Sequence, residues 1–336
     1  MSSSKKVLII GPGFIGWNVL DLLVKESYTV TGYARRQAHA NGLKASGASE
    51  VVLGDLNDRS KITDLVKQHD IIIHTATADH LPSVEAVLDG LRAIVNDGKG
   101  QGRIFIHTSG TSVFDDGAMG KFKSDKIYRD DRPEEVDEVS DDALHREIDL
   151  AILKAAKGDL GKTVRIALMI PPLIYGWTHD RGTIQLPTLT RFSLKHGFVP
   201  IIGPGLGVES NIHVLDLAKG YITLLHSLEK ATPQTANENI YYFCECTGNH
   251  ELSWYDYSKL IAESLHSAGK IKDPEPQTLK DEALWGDLFG SVTPGIVGVN
   301  SRSRAVRLQA LGWRPTEKDW KRSYVEDELP NILKAT

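Results

Sequence analysis

The sequence predicts an α/β protein with a doubly wound parallel sheet, into which a smaller lobe is interleaved. Three observations lead to this fold class. Short β-branched runs alternate with amphipathic stretches through the first half of the chain. The strand-like runs are nearly all apolar, which is typical of parallel strands covered on both faces. Strand–helix alternation of this kind forms right-handed βαβ units, and these build one sheet with helices on both sides.

The size and composition are those of an ordinary globular protein. The chain has 336 residues, 41% of them hydrophobic and 25% charged, which suits two domains or one α/β domain with an appended lobe. The formal net charge of −5 gives no electrostatic reason to bind nucleic acid or an anionic membrane surface. No apolar run approaches the roughly 18 residues that a membrane span needs. We therefore expect neither nucleic acid nor a membrane as a partner.

The beginning of the chain and its cysteines indicate a reducing, cytoplasmic location. The first apolar run, residues 7–10, is too short for a secretory signal and leads directly into glycines. Cys244 and Cys246 are separated by one residue, which disfavours a disulfide between them and leaves a zinc site incomplete. We expect both to be small side chains in a strand. No cluster of His, Cys and Asp has the spacing of a metal site, so no metal is predicted.

Six strands are predicted in the first half of the chain: residues 7–10, 29–33, 50–53, 70–74, 103–107 and 164–170. Between the fourth and the fifth, apolar residues from Val84 to Val95 recur at helical spacing, and Ser83 is the predicted N-cap. The second half is less regular. Helices are predicted there over residues 216–228, 254–268 and 303–310, and a further strand over residues 239–244. Ser253 and Asp256 resemble a capping box, and Gly312 is a predicted C-terminal cap.

A glycine-rich segment links the first predicted strand to the first predicted helix. It reads Gly11-Pro12-Gly13-Phe14-Ile15-Gly16. Gly11 permits a tight turn, Gly13 lets the backbone approach a pyrophosphate, and Gly16 allows the helix to pack closely on the strand. The free N–H groups at the start of the helix then point at the phosphates. The segment, Phe14 and Ile15 included, is predicted to bind a dinucleotide in a Rossmann fold; the alternative is a structural glycine turn in a nucleotide-free domain.

The end of the second predicted strand indicates which dinucleotide binds. NAD sites place an Asp or Glu there, about twenty residues after the glycines, to hold the ribose hydroxyls. This chain has Arg35 and Arg36 at that point and no acid. Two guanidinium groups could clamp a 2′-phosphate, so NADP(H) is the predicted cofactor. The alternative is a solvated pair of arginines on a loop.

With these motifs, the sequence resembles the extended short-chain dehydrogenase/reductase superfamily, in its epimerase/dehydratase-like branch. The resemblance covers nearly the whole chain. It is carried by short segments in the family's order and spacing: residues 11–16, 54–58, 74–76, 107–114, 165–176, 211–218 and 311–315. We expect a Rossmann domain formed by residues 1–175 together with 208–246. Residues 176–207 and 247–336 are expected to form a substrate-binding lobe.

The resemblance also implies cofactor contacts beyond the glycines. They are Asp55 and Leu56 at the adenine, Thr75, Ala76 and Thr77 at the nicotinamide side, and the Pro171-Pro172-Leu173-Ile174 segment after the sixth strand. All of them follow the carboxyl ends of predicted parallel strands, where ligands bind in such folds. For Asp55 and Leu56 the alternative is a turn that caps a helix.

The sequence departs from the family at the catalytic residues. The family carries Ser or Thr after the fifth strand and Tyr-x-x-x-Lys on the next helix, where Tyr is the acid/base and Lys lowers its pKa. No Tyr-x-x-x-Lys occurs between Phe114 and Val164, where a helix is predicted over residues 141–149. Aligning Asp149 with the acid that often follows the pair puts His145 at the Lys position and Asp141 at the Tyr position.

The proton relay is therefore predicted to be rebuilt. Gly110 stands at the family's Ser position, beside Thr108, Ser109 and Thr111. His145 is predicted to replace the lysine or to act as the acid/base itself, because an imidazole titrates near neutral pH. The alternatives for His145 are a surface histidine or a contact to the cofactor ribose.

Two further side chains need separate interpretations. Tyr175 follows the sixth strand and is a second candidate acid, with a packing aromatic as the alternative. His213 resembles a family landmark whose role is mostly structural, capping the following helix.

These residues predict an NADP-dependent oxidoreductase that transfers hydride between the nicotinamide and a small organic carbonyl or alcohol. Three alternatives stay open: an NADP(H)-binding sensor without turnover, a redox-silent isomerase or lyase that uses His145 as its base, and a sugar epimerase. The missing Tyr and Lys count against the epimerase. By analogy alone, with a fold whose last helix pair often forms dimers, a homodimer is expected.

Overall fold

The computed structural model describes residues 5–246 and 251–335, and its centre is a parallel sheet of seven strands. In chain order they are β1 Lys6–Ile10, β2 Thr29–Ala34, β3 Glu50–Leu53, β4 Ile71–His74, β5 Ile104–Thr108, β6 Arg165–Ile170 and β7 Tyr241–Phe243. Their order in the sheet is β7-β6-β5-β4-β1-β2-β3, and every neighbouring pair is parallel. The chain moves outward from β1 in both directions, so a crevice forms where β1 and β4 meet. The predicted fold class is confirmed.

Longer helices cover the sheet and build the second lobe. Those of eight or more residues in the described chain are α1 Phe14–Lys25, α2 Gln37–Ala45, α3 Arg59–Lys67, α4 Leu81–Asn96, α5 Arg146–Lys157, α6 Gln185–His196, α7 Val214–Lys230 and α8 Trp254–Ser267. The N-cap of α4 is His80 and not the predicted Ser83, because His80 Nδ1 accepts a hydrogen bond from the Ser83 amide. The capping box of α8, with Ser253 and Asp256, is confirmed.

Shorter elements connect these parts. The short strand pairs are Tyr128–Arg129 with Ser303–Arg304, Leu173–Tyr175 with Asn211–His213, Trp177–Thr178 with Arg181–Gly182, Pro200–Ile201 with Gln277–Thr278, and Val208–Glu209 with Leu252–Ser253. The short helical segments are Pro133–Asp137, Pro233–Asn237, Thr293–Val297, Val306–Ala310, Trp320–Ser323 and Leu329–Ala335, with 3-10 turns at Thr111–Phe114, Glu282–Asp287 and Gly290–Val292 and a π turn at Tyr324–Glu328.

Two predicted helix starts are wrong. The helix predicted from residue 303 begins at Val306, because the preceding amides bond elsewhere: that of Ser303 donates to Ser210 Oγ, and that of Ala305 donates to Glu245. The helix predicted over residues 141–149 begins at Arg146. His145 before it has a φ of 67°, in the left-handed region, and a right-handed helix cannot continue through it.

Buried apolar residues form two clusters. The first surrounds the sheet and draws on residues 7–170, 212–244 and 305–313. The second draws on residues 173–202, 254–279 and 297–329. The expected lobe boundaries stay a prediction, and the clusters do not coincide with them: residues 305–313, expected in the substrate-binding lobe, belong to the first cluster, and Leu173 and Tyr175, expected in the Rossmann domain, belong to the second. No helix in the described part of the chain has the length and apolar character needed to cross a membrane.

Both cysteines are free thiols next to the edge strand of the sheet. Cys244 is fully buried directly after β7. The Cys246 thiol donates to the Asn211 carbonyl at 3.3 Å. Their expected structural role is consistent with this burial.

Candidate active site

A cavity of about 730 Å³ opens at the carboxyl ends of β1, β2 and β4. Much of the predicted cofactor site lines it: Gly11, Gly13, Phe14, Ile15, Arg35, Arg36, Asp55, Leu56, Thr75, Ala76 and Thr77. These residues are far apart in the sequence and meet only because the parallel strands end at one edge. The cavity lies at the point where the strand order reverses, which is where such sheets bind ligands.

The glycine segment has the geometry that a pyrophosphate needs. Gly11 has a φ of +79°, and a Cβ there would lie 2.2 Å from Ala76 Cα. A Cβ on Gly16 would lie 2.3 Å from Thr75 Oγ1, so Gly16 serves the packing of α1 and does not line the cavity. A Cβ on Gly13 would meet only the Gly11 carbonyl oxygen, at 3.8 Å, which leaves room for a ligand. Within the described chain no side chain caps α1, so its first N–H groups are free for phosphate.

The end of the cavity near α2 is strongly basic. Besides Arg35 and Arg36, it is lined by Arg181 and His39, which sequence analysis missed. Burial lowers the pKa of Arg181, and the nearby charge of Arg36 lowers it further. Burial also lowers the pKa of His39, with Arg181 as the next cause. Nε2 of His39 has no hydrogen-bond partner among the described residues. These groups could hold an anion next to the glycine segment.

Arg181 reaches the cavity on a hairpin formed by Trp177–Thr178 and Arg181–Gly182. The hairpin is held against α1. Asn18 Nδ2 donates to Thr178 Oγ1 at 2.9 Å, and the His179 ring stacks on Trp17 with centroids 4.4 Å apart. The Arg181 guanidinium lies 5.3 Å from the centre of the same Trp17 ring. The hairpin therefore places a cation over the first turns of α1.

At the other end, the segment after β6 lines the cavity through different residues from those expected. Pro172 and Ile174 line it, whereas Pro171 and Leu173 do not. The short strand Leu173–Tyr175 pairs with Asn211–His213, and side chains alternate between the two faces of a strand. Leu173 is therefore buried in the second apolar cluster. The expected contacts of Pro171 and Leu173 are corrected to Pro172 and Ile174.

His145 lies between a carboxylate and a hydroxyl. Its Nδ1 is 2.5 Å from Asp79 Oδ1, and its Nε2 is 2.7 Å from Ser112 Oγ. The hydrogen bond from His145 lowers the pKa of the Asp79 carboxyl. His145 does not line the cofactor cavity. It lines a second cavity of about 460 Å³ together with Asp79, Asp141, Asp142 and Glu147. The left-handed backbone of His145 costs about 1–2 kcal/mol, which packing around it must offset.

The other hydroxyls expected in the relay are turned into the interior. Thr108 Oγ1 is 2.5 Å from Tyr221 Oη, and Ser109 donates to Asp149 at 2.9 Å. Thr111 accepts a hydrogen bond from Ser301. All three side chains are buried, so they stabilise the turn after β5. The expectation that they transfer protons is corrected for this reason.

Tyr175 is likewise a structural residue. Its hydroxyl donates to the Lys318 carbonyl at 2.9 Å, and burial raises its pKa far above the ordinary value for tyrosine. Such a group is a poor acid/base at neutral pH. His213 caps α7 as expected, because its Nδ1 accepts from the Leu215 amide.

Sequence analysis missed Asp79 and Ser112. Each follows the end of a strand, β4 or β5, that lies beside the crevice. Polar residues after adjacent parallel strands are the signal that could have identified them. Their contacts with His145, 66 and 33 residues away in sequence, depend on loop paths that no local pattern indicates.

A family model and a curated relative match this chain. A family model described as NAD(P)H-binding matches residues 11–135. A curated protein, the oxidase UcsJ of an Acremonium species, is 27% identical over 335 residues, with 93% of each chain covered.

Solved structures resemble the whole chain at low identity. A UDP-glucose 4-epimerase from Thermotoga maritima has a TM-score of 0.67 at 16% identity, covering 98% of this chain and 99% of its own. The yeast methylglyoxal/isovaleraldehyde reductase Gre2, complexed with NADPH, has a TM-score of 0.62 at 16% identity, covering 98% of each chain. Residues 11–135 thus match a family model described as NAD(P)H-binding, and the chain as a whole has the same fold as these epimerase and reductase structures.

Proposed function

We propose that this protein is an NADP-dependent oxidoreductase that acts on a small organic carbonyl or alcohol. The observation that carries the proposal is the end of β2, where Arg35 and Arg36 enter the cavity and no acid is present. Guanidinium groups bind a phosphate through charge-assisted, bidentate hydrogen bonds. An acid, by contrast, would hold ribose hydroxyls and repel a 2′-phosphate.

The lining residues divide the cavity into subsites for the parts of NADP(H). The backbone of the glycine segment would hold the pyrophosphate, the arginines the 2′-phosphate, and Asp55 with Leu56 the adenine side. Thr75 to Thr77, Pro172 and Ile174 would hold the nicotinamide side. When bound, the cofactor supplies or accepts a hydride at the nicotinamide ring.

The chain itself must then move one proton for each hydride transferred. We assign His145 to this step, since its ring contacts both a carboxylate and a hydroxyl. That a relative is named an oxidase, and that a structural neighbour is a reductase complexed with NADPH, supports redox chemistry.

The cofactor assignment is tested by calorimetric titration with NADPH and with NADH. We expect replacement of Arg35 and Arg36 by Ala to weaken NADPH binding by roughly 10–100-fold, the value of one or two lost charge-assisted hydrogen bonds, and to leave NADH binding nearly unchanged. Arg191→Ala, which removes an exposed arginine of α6, is the matched control. Equal losses for both cofactors would contradict the 2′-phosphate assignment.

Turnover is tested with a panel of carbonyl compounds, followed at the nicotinamide absorbance. Oxidation of NADPH by some member of the panel would support the oxidoreductase. Tight NADPH binding without oxidation by any member would favour a sensor or a redox-silent isomerase on the same fold.

A further inference from the structure

We propose that Ser112, His145 and Asp79 form the proton relay of this site, in which the Ser112 hydroxyl exchanges a proton with the substrate oxygen. The proposal deepens the oxidoreductase function and rests on it. Ser112 is the catalytic residue, His145 passes its proton on, and Asp79 is a positioning residue that acts through His145.

The first argument is the order of the three groups. Nε2 of His145 is 2.7 Å from the Ser112 hydroxyl, and Nδ1 is 2.5 Å from the Asp79 carboxylate. An imidazole held in this way by a carboxylate presents its other nitrogen to the hydroxyl, which is the general arrangement for moving a proton to or from an oxygen. The same contact lowers the pKa of Asp79 and so keeps its carboxylate ionised.

The second argument is that the local backbone is adapted to place the imidazole there. His145 has a φ of 67°, a conformation that side-chain-bearing residues rarely adopt. A Cβ on Gly110 would lie 3.2 Å from His145 Nε2 and 3.3 Å from its Cδ2, closer than the ring accommodates without shifting. Gly110 stands where the family has a serine, so the loss of that side chain makes room for the imidazole. Strain of this kind persists where surrounding structure enforces it, and it concentrates at functional sites.

The third argument is the position of the relay between the two cavities. The Asp79 amide donates to Thr77 Oγ1 at 3.1 Å, and Thr77 lines the cofactor cavity. On the other side, the Thr111 amide beside Ser112 donates to the Pro171 carbonyl, next to cavity-lining Pro172. Ser112 is only partly buried, unlike its hydroxyl-bearing neighbours Thr108, Ser109 and Thr111. It lines neither cavity, but it is the most exposed hydroxyl-bearing residue of this turn, and the proposal places the substrate oxygen against it.

The second cavity gives the relay its connection to water. Asp79 and His145 line it with Asp141, Asp142 and Glu147, and the Asp79 side chain is 62% exposed. Asp149 and His107 also lie close enough to His145 for electrostatic interaction, from α5 and from β5.

In the direction of reduction, the relay begins with His145 protonated on both nitrogens. As the substrate carbon gains a hydride, the Ser112 hydroxyl gives its proton to the substrate oxygen and takes the Nε2 proton of His145. The neutral imidazole then regains a proton from water in the second cavity, so one carbonyl consumes one hydride and one proton. Oxidation of an alcohol runs through the same bonds in reverse, with neutral His145 as the base. Reduction through this relay therefore takes up one proton for each hydride, and oxidation releases one.

The first test needs no turnover. A fluorophosphonate probe modifies a serine hydroxyl whose proton a neighbouring base removes, with loss of fluoride, and mass spectrometry of peptides identifies the serine. We expect modification at Ser112, its loss in His145→Asn, and its reduction by at least tenfold in Asp79→Asn. Asp125→Asn, which changes an exposed carboxylate that lines neither cavity, is the matched control and should be modified like the parent protein. An unmodified Ser112, or modification that does not depend on His145, would overturn the relay.

The second test uses whichever carbonyl the panel identifies. Ser112→Ala should lower kcat by about 10²–10⁴-fold while NADPH affinity, measured by calorimetry, stays the same. Ser112→Thr should restore most of the rate, because it returns a hydroxyl. Asp79→Asn should shift the pH profile of kcat, whereas Asp125→Asn should not. If Ser112→Ala turns over at the parent rate, the relay is wrong, but the oxidoreductase function stands. If the probe modifies Ser112 but no carbonyl is reduced, the oxidoreductase function fails, whereas the activation of the Ser112 hydroxyl stands.

Discussion

His145 has a left-handed backbone conformation, and its side chain makes two short hydrogen bonds. One substitution can keep the backbone conformation while it removes the imidazole. Asparagine tolerates the left-handed conformation but cannot carry a proton at neutral pH. We expect His145→Asn to fold with an unchanged melting temperature, to bind NADPH with unchanged affinity, and to lose turnover by at least a hundredfold.

Calorimetry, thermal unfolding and the carbonyl assay check these three expectations together. Retained turnover would remove His145 from the chemistry. A loss of NADPH affinity as large as the loss of turnover would instead favour the alternative in which His145 contacts the cofactor ribose.

The candidate catalytic residues also show how far the sequence alone predicts the site. The absence of Tyr-x-x-x-Lys is visible in the sequence and leads to His145. The run Thr108-Ser109-Gly110-Thr111-Ser112 contains four hydroxyls, and the sequence does not indicate which one is available. The fold decides this, because Thr108, Ser109 and Thr111 make buried hydrogen bonds, whereas Ser112 lies in the 3-10 turn Thr111–Phe114 beside His145.

Among the elements, the hairpin of Trp177–Thr178 and Arg181–Gly182 is the part of the cofactor site that sequence analysis did not predict. Its turn residues, His179 and Asp180, both have positive φ, although neither is a glycine. The usual glycine signal of a tight hairpin is therefore missing. Packing on α1 determines its conformation, whereas the strands of the central sheet are predictable because burial on both faces makes them continuously apolar.

The hairpin gives a second test of the anion site. We expect Arg181→Ala to weaken NADPH binding by about 5–50-fold and NADH binding much less, because Arg181 interacts electrostatically with Arg36 and His39. Arg191→Ala on α6 is again the control. Titration with 2′-AMP and with 5′-AMP locates the contact: a loss confined to 2′-AMP supports the 2′-phosphate, and equal losses would place Arg181 at another phosphate.

Across the whole molecule, buried ionisable groups determine how stability depends on pH. Burial raises the pKa of Glu209 to about 8 and those of Asp149 and Glu328 to about 7. Burial lowers the pKa of His74 to about 4 and that of His107 well below its ordinary value. These groups lie in both apolar clusters or next to them, so the dependence is a property of the entire fold.

The sign follows from which state binds protons. Between pH 5 and 8 the three acids hold protons in the folded chain and lose them in the unfolded chain, so stability falls as pH rises towards 8. Below about pH 6.5 the two histidines stay neutral in the folded chain and become protonated in the unfolded chain, so stability also falls as pH drops. Above about pH 7, only the three acids contribute to the pH dependence of stability. We therefore expect the melting temperature to rise as pH is lowered from 8.5 to 7, and to rise more slowly from about 6 towards 5, where the two histidines oppose the three acids.

Glu209→Gln isolates the largest of these shifts among the acids. Glutamine keeps an oxygen for the hydrogen bond from the Leu173 amide but carries no charge to be desolvated. The pKa of Glu209 is raised from 4.5 to about 8. Since each pKa unit corresponds to about 1.4 kcal/mol, we expect the variant to unfold with a free energy about 4–5 kcal/mol higher than the parent at pH 8.5, and with little difference at pH 5. Denaturant unfolding at the two pH values measures this, and Glu134→Gln, at an exposed glutamate, is the control. A variant that is less stable than the parent at pH 8.5 would mean that the Glu209 carboxylate is ionised and has a partner in the folded protein.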